Sequence, residues 1–424
     1  MHAEIVATGD EIRTGALIDS NSAHIADRLE ENGVAVTRHT CVGDDLDYLS
    51  ALFSEIGKRA DLAVVTGGLG PTADDLTAEA AAKAAGVRLD LDPSALHSVE
   101  AFFKARQRTM NAASRKQAYL PAGAQCIHNP VGTAPGFCLK IGCCQFFFLP
   151  GVPAEMHRML ADAVLPQIIE RTRNNRLFYR NRTLSTFGLT ESRTFERLAG
   201  FKKIFPQIKM GLQVQFPAIL VKLYASGTRD EQLNEDLAAA VRWVTQEMGP
   251  YVLSQQGDPI EKVVGDLLTQ KRASLALAES CTGGLIADML TNVSGSSAYF
   301  VFGGVSYSNQ AKIDILKVSP ETLKRRGAVH EETAIEMARG AREISAATYG
   351  LSTSGIAGPT GGTEDKPVGT VCIGLATPES TSGYRFHFWF GSRSMHKQMF
   401  ASTALDVLRR ELLGADPPRF LNPS

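Results

Sequence analysis

Three consecutive side chains in the stretch SLALAESCTGG carry nucleophilic atoms, namely Ser280, Cys281 and Thr282. They follow a short apolar run and precede two glycines, so we predict a strand, a turn and a helix in that order. Ligands in α/β sheets bind at the carboxyl ends of strands. The N–H groups of Gly283 and Gly284 at the helix start could hold an oxyanion or a phosphate. The stretch alone leaves both interpretations open, a catalytic nucleophile and a phosphate-binding turn.

A lysine that could act as a base occurs in a second motif, VSYSNQAKIDIL. Tyr307 ends a predicted strand, Ser308 or Asn309 is expected to cap the next helix, and Lys312 falls in the first helical turn. The positive end of the helix dipole and burial both lower the pKa of such a lysine from its reference of about 10.4. A neutral Lys312 could take the proton of a serine hydroxyl. The alternative is a solvent-exposed lysine with a small helix-end penalty.

Two further motifs place polar groups where they could meet a substrate. STSGIAGPTGG puts Ser354 and several glycines after another predicted strand, and FGSRSMHK puts Arg393 just before the final helix. We interpret Arg393 as a candidate phosphate clamp and Lys366, on a polar loop, as a less favoured one. Cys281 is a competing nucleophile, because a thiolate at a helix N-terminus is activated. The stretch around Cys281 contains no histidine that could serve as its base, and the nearest one in sequence, His330, starts another helix, so we expect Cys281 to pack beneath the turn.

A separate candidate site lies near the N-terminus, in VVTGGLGPTADDLT. Gly67 and Gly68 follow a buried strand, where glycines let the backbone approach a ligand and helix N–H groups favour anions. Asp74 and Asp75 come at the predicted helix start. They could bind a divalent metal or act as a base. The competing interpretation is that both aspartates only cap the helix.

The elements that must position these residues alternate between strand and helix in two long regions. Residues 1–170 and 256–416 each show short apolar runs separated by amphipathic patterns, whereas residues 171–255 are more polar. The alternation predicts an α/β protein with two doubly wound αβα domains joined by a small α+β domain. The arginine-rich segment TRNNRLFYRNRT in the middle region is interpreted as a solvated face, with RNA contact as the alternative.

Composition narrows the class of protein further. The chain has 424 residues, 44% of them hydrophobic and 21% charged, with a formal net charge of -1. This balance argues against a protein that binds nucleic acid or a membrane surface through concentrated positive charge. We found no membrane-length apolar run and no signal-peptide pattern. The seven cysteines show no metal-type spacing, so we expect a reduced, cytoplasmic protein.

The N-terminal motifs TGDEI, TGGLGPTADDLT, NPVGTAPGF and LPGVPAEM resemble the molybdopterin-binding domain of MoaB and MogA, in the variant that opens the CinA proteins. The resemblance covers residues 1–170 and implies a nucleotide- or pterin-shaped pocket. The residues implied to line it are Asp10, Gly67, Gly68, Asp74 and Asp75. In some relatives the domain implies an ADP-ribose pyrophosphatase that depends on a divalent metal, for which Asp74 and Asp75 are the candidate ligands.

The C-terminal motifs AESCTGG, VSYSNQAK, GAVHEETA and SGIAGPTGGTEDKPVGTV resemble the CinA C-terminal domain, over residues 258–414. That family includes nicotinamide mononucleotide deamidase. The resemblance therefore implies hydrolysis of a carboxamide to nicotinate mononucleotide and ammonia, without a cofactor. The catalytic residues it implies are Ser280, Lys312 and Tyr307. The substrate-contacting residues it implies, together with our reading of the turn, are Thr282, Gly283, Gly284, Ser354 and Arg393.

The expected partners follow from the same resemblance. They are small-molecule nucleotide substrates, with no nucleic acid and no membrane, and the chain is expected to form a homodimer. The alternative function is a non-catalytic nucleotide- or pterin-binding regulatory protein linked to competence or DNA damage.

Overall fold

The structure, a computed structural model, describes residues 1–172 and 178–418. Part of the arginine-rich segment, residues 173–177, therefore lies outside the described residues. The chain forms two compact units, one of Met1–Arg180 with Ser226–Leu233 and one of Asn181–Ala225 with Asn234–Ser424. The division into domains 1–170, 171–255 and 256–416 stays a prediction.

The first unit is built on a six-stranded sheet. Its strands, with those of a small two-stranded sheet, are β1 (His2–Thr8), β2 (Ala35–Val42), β3 (Leu62–Thr66), β4 (Leu89–Leu91), β5 (Tyr119–Pro121), β6 (Gln125–Ile127), β7 (Gly136–Ile141) and β8 (Cys144–Leu149). The helices are α1 (Asp10–Arg13), α2 (Ser20–Glu31), α3 (Leu46–Arg59), α4 (Thr77–Ala85), α5 (Pro93–Ala105), α6 (Ala112–Lys116), α7 (Pro153–Met159) and α8 (Leu165–Thr172), with a π-helical turn at Leu160–Val164. The large sheet has the order β2-β1-β3-β8-β7-β6.

Alternate residues of the central strands face two separate cores, as a doubly wound sheet requires. In β3, Ala63 and Val65 join one core and Leu62 and Val64 join the other. The strands β2, β1, β3 and β8 are parallel. The strands β7 and β6 continue the sheet in antiparallel pairing, which the alternation of elements did not predict.

The N-termini of α3 and α4 differ in whether a side chain caps them. Asp45 caps the start of α3, because its side chain accepts a hydrogen bond from the N–H of Tyr48 at 2.8 Å. The predicted start of α4 is wrong. The helix begins at Thr77, and its N-cap residue, Leu76, makes no side-chain capping bond. Residues 70–76 instead form a loop.

A four-stranded sheet follows in the chain. Its strands are β9 (Phe178–Thr186), β10 (Lys209–Gln215), β11 (Ala218–Gly227) and β12 (Val252–Ser254), in the order β10-β11-β9-β12. The accompanying helices are α9 (Glu191–Arg197), α10 (Phe201–Ile204) and α11 (Asp230–Met248), with a 3-10 turn at Gly249–Tyr251. Phe201 packs edge-to-face on Trp243 of α11, with ring centroids 5.8 Å apart.

A five-stranded sheet carries the C-terminal motifs. Its strands are β13 (Leu275–Glu279), β14 (Phe300–Val305), β15 (Tyr349–Gly355), β16 (Thr370–Ala376) and β17 (Thr381–His387), in the order β14-β13-β15-β16-β17. The helices are α12 (Ile260–Lys271), α13 (Leu285–Thr291), α14 (Asn309–Asp314), α15 (Pro320–Arg326), α16 (Glu331–Ser345) and α17 (Arg393–Leu413), with a 3-10 turn at Ser296–Ala298. The strands β14, β13 and β15 are parallel, and β16 and β17 are antiparallel.

Small residues let α16 approach one face of this sheet closely. A Cβ atom added to Gly350 of β15 would lie 2.1 Å from the carbonyl oxygen of Ala338, and one on Gly374 of β16 would lie 2.1 Å from that of Ala334. No real side chain tolerates such a contact, so the backbones of helix and strands touch directly.

The predicted fold class is confirmed, because both large sheets are interleaved with helices in an α/β arrangement. Within residues 1–172 and 178–418, no helix has the length and apolar character of a membrane-spanning segment.

Candidate active site

The hydroxyl of Ser280 and the amine of Lys312 lie within hydrogen-bond distance of each other. Ser280 follows β13 directly, and its N–H donates to the carbonyl of Thr353 in β15 at 3.0 Å. Lys312 lies in α14, whose start is capped by the Ser308 side chain as predicted. Its Nζ is 3.1 Å from Ser280 Oγ. The fold therefore brings together two motifs that are 32 residues apart in the chain.

Lys312 is only 1% exposed, which is rare for a lysine. Its Nζ also contacts the carbonyl oxygens of Ser306, at 2.7 Å, and Tyr307, at 3.3 Å. Burial lowers the pKa of Lys312 below the ordinary lysine value, with an opposing contribution from Cys281 and none from a carboxylate. The lysine is therefore biased toward its neutral form.

This set of partners directs the lone pair of a neutral Lys312 at Ser280. A neutral amine has two N–H donors and one lone pair, and a carbonyl oxygen can only accept. The two carbonyls use both donors, so the O–H of Ser280 is left to donate to the nitrogen. Burial, one of the two predicted causes, lowers the pKa of Lys312. Lys312 is the fourth residue of a six-residue helix.

A buried carboxylate, Glu279, occupies the start of α13. It is 1% exposed and accepts hydrogen bonds from the N–H groups of Gly284 (3.0 Å), Ile286 (3.2 Å) and Ala287 (2.9 Å). A carboxylate at a helix N-terminus is favourable because it meets the positive end of the dipole. The predicted role of the Gly284 N–H in holding an oxyanion or phosphate is therefore not met, since the protein supplies its own anion there.

The next N–H groups after Ser280 are differently placed. Gly283 N–H donates to the carbonyl of Ser280 at 3.2 Å. The N–H group of Thr282 has no acceptor in the portion of the chain that the structure describes, whereas the N–H of Cys281 contacts its own sulfur. Thr282 is fully buried, with its Oγ1 2.8 Å from Thr353 Oγ1. The Thr282 side chain is therefore engaged in the interior.

Cys281 packs beneath the turn, in agreement with the interpretation favoured from the sequence. It is 7% exposed and belongs to the hydrophobic core between the sheet and α17. Burial raises the pKa of its thiol to about 12. A thiol with so high a pKa stays protonated near neutral pH and is a poor nucleophile.

Tyr307 and Arg393 meet on the open side of the site. Tyr307 is 63% exposed, and its hydroxyl accepts a hydrogen bond from Arg393 Nη2 at 3.3 Å. Arg393 Nη1 donates to the carbonyl of Gly358 at 2.7 Å. The contact of Tyr307 with Lys312 is made by its carbonyl and not by its hydroxyl. The structure thus places the Tyr307 ring toward the arginine and does not bring its hydroxyl to the base.

Two other predicted contact residues are engaged elsewhere. Ser354 is 1% exposed, and its hydroxyl donates to the carbonyl of Ala328 at 2.7 Å. Lys366 Nζ donates to the carbonyl of Arg326 at 2.8 Å. Neither hydrogen bond involves Ser280 or Lys312, so the structure shows both side chains in local structural roles.

The N-terminal motifs surround a separate cavity of about 530 Å³ in the first unit. Gly67, Gly68, Asp74 and Asp75 line it, as the sequence predicted. Asp10 does not, because its carboxylate pairs with Arg13 at 2.9 Å and faces a neighbouring cavity.

Gly67 and Gly68 are required because their backbones pack closely against neighbouring residues of the protein. A Cβ on Gly67 would lie 2.5 Å from the carbonyl oxygen of Thr8, and one on Gly68 would lie 2.2 Å from Thr77 Oγ1. Both have positive φ angles, 106° and 64°, which glycine adopts without strain. A close approach of backbone to ligand is not needed to account for either residue.

The lining of the N-terminal cavity is strongly acidic. The lining carboxylates are Glu11, Asp19, Asp44, Asp74, Asp75 and Glu155, and the same lining contains no lysine, arginine or histidine among the described residues. Burial raises the pKa of Asp44, and the charges of Asp10, Glu11 and Asp74 raise it further. This electrostatic character disfavours an unshielded anion, contrary to the expectation of a phosphate there.

A metal ion at Asp74 and Asp75 stays a prediction. Asp75 Oδ2 accepts hydrogen bonds from the N–H and the hydroxyl of Thr72, at 2.8 Å and 2.5 Å. In the two described ranges, no group of three or more His, Cys, Asp and Glu side chains is placed to hold a metal ion. Since α4 begins at Thr77, the alternative that these aspartates cap the helix is wrong.

Two long stretches of the chain match known protein families. Residues 4–170 match the family described as a probable molybdopterin binding domain, and residues 257–412 match the CinA C-terminal domain. A CinA-like protein of Desulfosudis oleivorans is 53% identical over 414 residues, covering 97% of this chain and 100% of the relative. The chain belongs to the CinA-like protein family.

Other CinA proteins are similar to this chain over all or part of its length. A CinA-like protein of Geobacter sulfurreducens is 43% identical, covering 98% of this chain and 100% of the relative. The crystal structure of CinA from Thermoplasma acidophilum, described as being of unknown function, is 36% identical. It covers 40% of this chain and 99% of its own, with a TM-score of 0.37.

In this CinA-family chain, two residues of the site were not predicted from the sequence. Glu279 carried a signal, because a carboxylate between a buried strand and a Gly-Gly helix start is positioned to cap that helix. Ser306 carried none. Its hydroxyl is buried without a hydrogen-bond partner among the described residues, and only the tertiary structure shows that its carbonyl contacts Lys312.

Proposed function

We propose that the Ser280–Lys312 site hydrolyses the carboxamide of nicotinamide mononucleotide to nicotinate mononucleotide and ammonia. The observation that carries the proposal is the 3.1 Å approach of Lys312 Nζ to Ser280 Oγ, with the lysine buried. The substrate is inferred from the resemblance of the motifs around these residues to the deamidases of the CinA family. No metal is invoked in any step.

The reaction starts with attack of Ser280 Oγ on the carboxamide carbon. Lys312 accepts the hydroxyl proton as the C–O bond forms. We assign the oxyanion of the tetrahedral intermediate to the N–H groups that follow Ser280, because donors beside the nucleophile hold it in other hydrolases.

Lys312 then returns the proton to the leaving nitrogen. The C–N bond breaks, ammonia departs and an acyl-serine remains. Water, deprotonated by Lys312, attacks the acyl carbon, and the acid is released with Ser280 regenerated. Arg393 faces the open side of the site and is suited to contact the substrate phosphate.

No reaction is assigned to the N-terminal cavity. A divalent metal and a pyrophosphatase activity at this cavity stay predictions. The cytoplasmic location and the homodimer stay predictions.

The direct test is incubation of the full chain with nicotinamide mononucleotide, with and without a chelator. We expect ammonia and nicotinate mononucleotide in equal amounts under both conditions. Binding of the nucleotide without either product would instead favour the regulatory alternative.

The rate should depend on pH through Lys312. Only the neutral amine accepts a proton, so kcat/KM should increase about tenfold per pH unit at low pH and level off above the lysine pKa. Because burial lowers that pKa, the midpoint should lie below about 10.4, the ordinary lysine value. A pH–rate profile measures it. A decrease of kcat/KM with rising pH over this range would contradict the assignment of Lys312 as base.

Cys281→Ala should leave deamidation largely intact, within about threefold, because the thiol is protonated and has no role in the step. Iodoacetamide should likewise fail to inactivate the wild-type chain, since the sulfur is buried. Steady-state rates before and after treatment provide the measurement. Loss of activity in Cys281→Ala, with the unfolding transition unchanged, would reassign the nucleophile to Cys281.

A further inference from the structure

A buried histidine of α17 lies between two backbone carbonyl groups. His396 is 4% exposed, its Nδ1 is 3.0 Å from the carbonyl oxygen of Ala357, and its Nε2 is 3.2 Å from that of Phe388. Its ring stacks on Phe400 with an interplanar angle of 9°. A rotation of the ring by 180° would turn carbon atoms toward both oxygens. Both contacts therefore depend on the ring orientation that the structure shows.

Only one form of the His396 ring supplies a proton to both contacts. A carbonyl oxygen can only accept, a neutral imidazole has one N–H, and an imidazolium has an N–H on each nitrogen. A neutral ring would therefore set its lone pair against an oxygen in one of the two contacts. His396 forms no ion pair within residues 1–172 and 178–418, so the two carbonyl dipoles are the groups that stabilise its charge.

The contact with Ala357 fixes a segment that also binds Arg393. Ala357 precedes Gly358, whose carbonyl accepts a hydrogen bond from Arg393 Nη1 at 2.7 Å. Arg393 and His396 are three residues apart in α17 and so are neighbours on the helix surface. The first turn of α17 thus binds two consecutive carbonyls, and the position of the Arg393 guanidinium depends on where that segment lies.

The contact with Phe388 joins the same ring to the connection between β17 and α17. Gly369 links this connection to the first segment, because its N–H donates to the carbonyl of Ile356 at 2.8 Å and its carbonyl accepts from the N–H of Phe388 at 2.9 Å. A Cβ atom added to Gly369 would lie 3.2 Å from His396 Nε2. The ring therefore fits closely between the two segments that border Arg393.

We propose that His396, with a proton on both ring nitrogens, is a positioning residue that fixes the Arg393 guanidinium for the substrate of the Ser280 site. It does so by donating to two carbonyls at once, one of which adjoins the Gly358 carbonyl that holds the arginine. His396 acts through the arginine, because its own ring is buried and both of its nitrogens contact the protein. The role toward the substrate rests on the proposed deamidation.

Nitrogen NMR spectra of the full chain, labelled in its histidines, test the protonation state without any assumption about the reaction. At the pH of the assay, both ring nitrogens of His396 should carry a hydrogen. His396→Phe identifies the two signals by their disappearance, and His97→Phe, at an exposed histidine of α5, is the matched control. A single protonated nitrogen would overturn the proposal.

His396→Phe keeps a planar ring on Phe400 and removes both donors. We expect KM for nicotinamide mononucleotide to rise about tenfold, the usual weight of a charge-assisted hydrogen bond, with kcat changed less than about threefold. Arg393→Ala should raise KM at least as much, and the double variant should be no worse than Arg393→Ala alone, because both changes act through one contact. If the two effects multiply in the double variant, His396 has only a structural role and the proposal fails.

Two single-donor variants separate the contacts of His396. The side-chain amide of His396→Asn can replace Nδ1 and donate to Ala357, whereas that of His396→Gln can replace Nε2 and donate to Phe388. KM should stay closer to the wild-type value in His396→Asn, because the Ala357 segment holds the arginine. A lower KM in His396→Gln would contradict the proposed route through Ala357.

Calorimetric binding of nicotinate mononucleotide separates these results from failure of the proposed function. If the wild-type chain shows no turnover but binds this nucleotide, deamidation falls. The positioning role then stands if His396→Phe weakens binding and adds nothing to Arg393→Ala, and it falls if the two effects multiply. If the wild-type chain neither turns over nor binds, the role of His396 toward a substrate falls together with the proposed function.

Discussion

Replacing Lys312 by methionine is expected to lower kcat for nicotinamide mononucleotide deamidation by at least about a thousandfold. General acid–base groups contribute roughly 10² to 10⁴ to a rate, and here one amine serves both half-reactions. Methionine approximates the length and volume of the buried lysine stem, so the loss should come from chemistry and not from a cavity. Initial rates of ammonia and nicotinate mononucleotide formation measure it.

Ser280→Ala should cause a loss of similar size, and the double variant should be little worse than either single one. Residues that act as a unit in one step have strongly non-additive effects. Lys324→Met, at an exposed position of α15, is the matched control and should keep the wild-type rate. If Lys312→Met keeps more than about a tenth of the wild-type kcat, Lys312 is not the base. An active Ser280→Ala variant would remove the serine from the mechanism.

Glu279→Ala should produce the largest loss of stability among the site residues. Its carboxylate is 1% exposed and accepts three backbone hydrogen bonds. Removing it leaves three N–H groups and the start of α13 without their partner. Removal of one partner from a buried, hydrogen-bonded charge commonly destabilises a protein strongly, so we expect the free energy of unfolding to decrease by about 2–5 kcal/mol.

Thermal unfolding and amide hydrogen exchange together provide the measurement. The amides of Gly284, Ile286 and Ala287 should lose protection first, because they lose their acceptor directly. Glu321→Ala is a suitable control, since Glu321 lies in the first turn of α15 and is exposed. It should cost less than about 1 kcal/mol. Unchanged protection of the three amides in Glu279→Ala would show that other groups cap α13.

Strands and helix starts around the site could be predicted where they depend only on residues that are near in the sequence. The fully buried strands β3 and β13 follow from short apolar runs, and the caps Asp45 and Ser308 follow from their side-chain chemistry. The start of α4 was misplaced because Thr72, Asp74 and Asp75 are residue types that commonly begin a helix. There the backbone bends at Gly68 to pack on Thr77, a contact that composition does not reveal.

The site itself depends on contacts that no local pattern encodes. The family resemblance paired Ser280 with Lys312, but nothing in either motif states that the lysine is 1% exposed. Burial was one of the two predicted causes of the lowered Lys312 pKa, but the contact with Ser280 joins residues 32 positions apart in the chain. The same limit applies to Ser306, because only the tertiary structure brings its carbonyl to Lys312 Nζ.

The close contact between α16 and the sheet makes the strand that positions Ser280 mechanically stiff. Gly350 lies on the strand whose Thr353 carbonyl receives the Ser280 N–H. No side chain separates that strand from the carbonyl of Ala338, so it cannot tilt without a collision between backbones. A side chain can relieve a close contact by changing its rotamer, whereas two backbones in contact cannot. The strand to which Ser280 is hydrogen-bonded is therefore held by a contact that cannot relax through side-chain rotation.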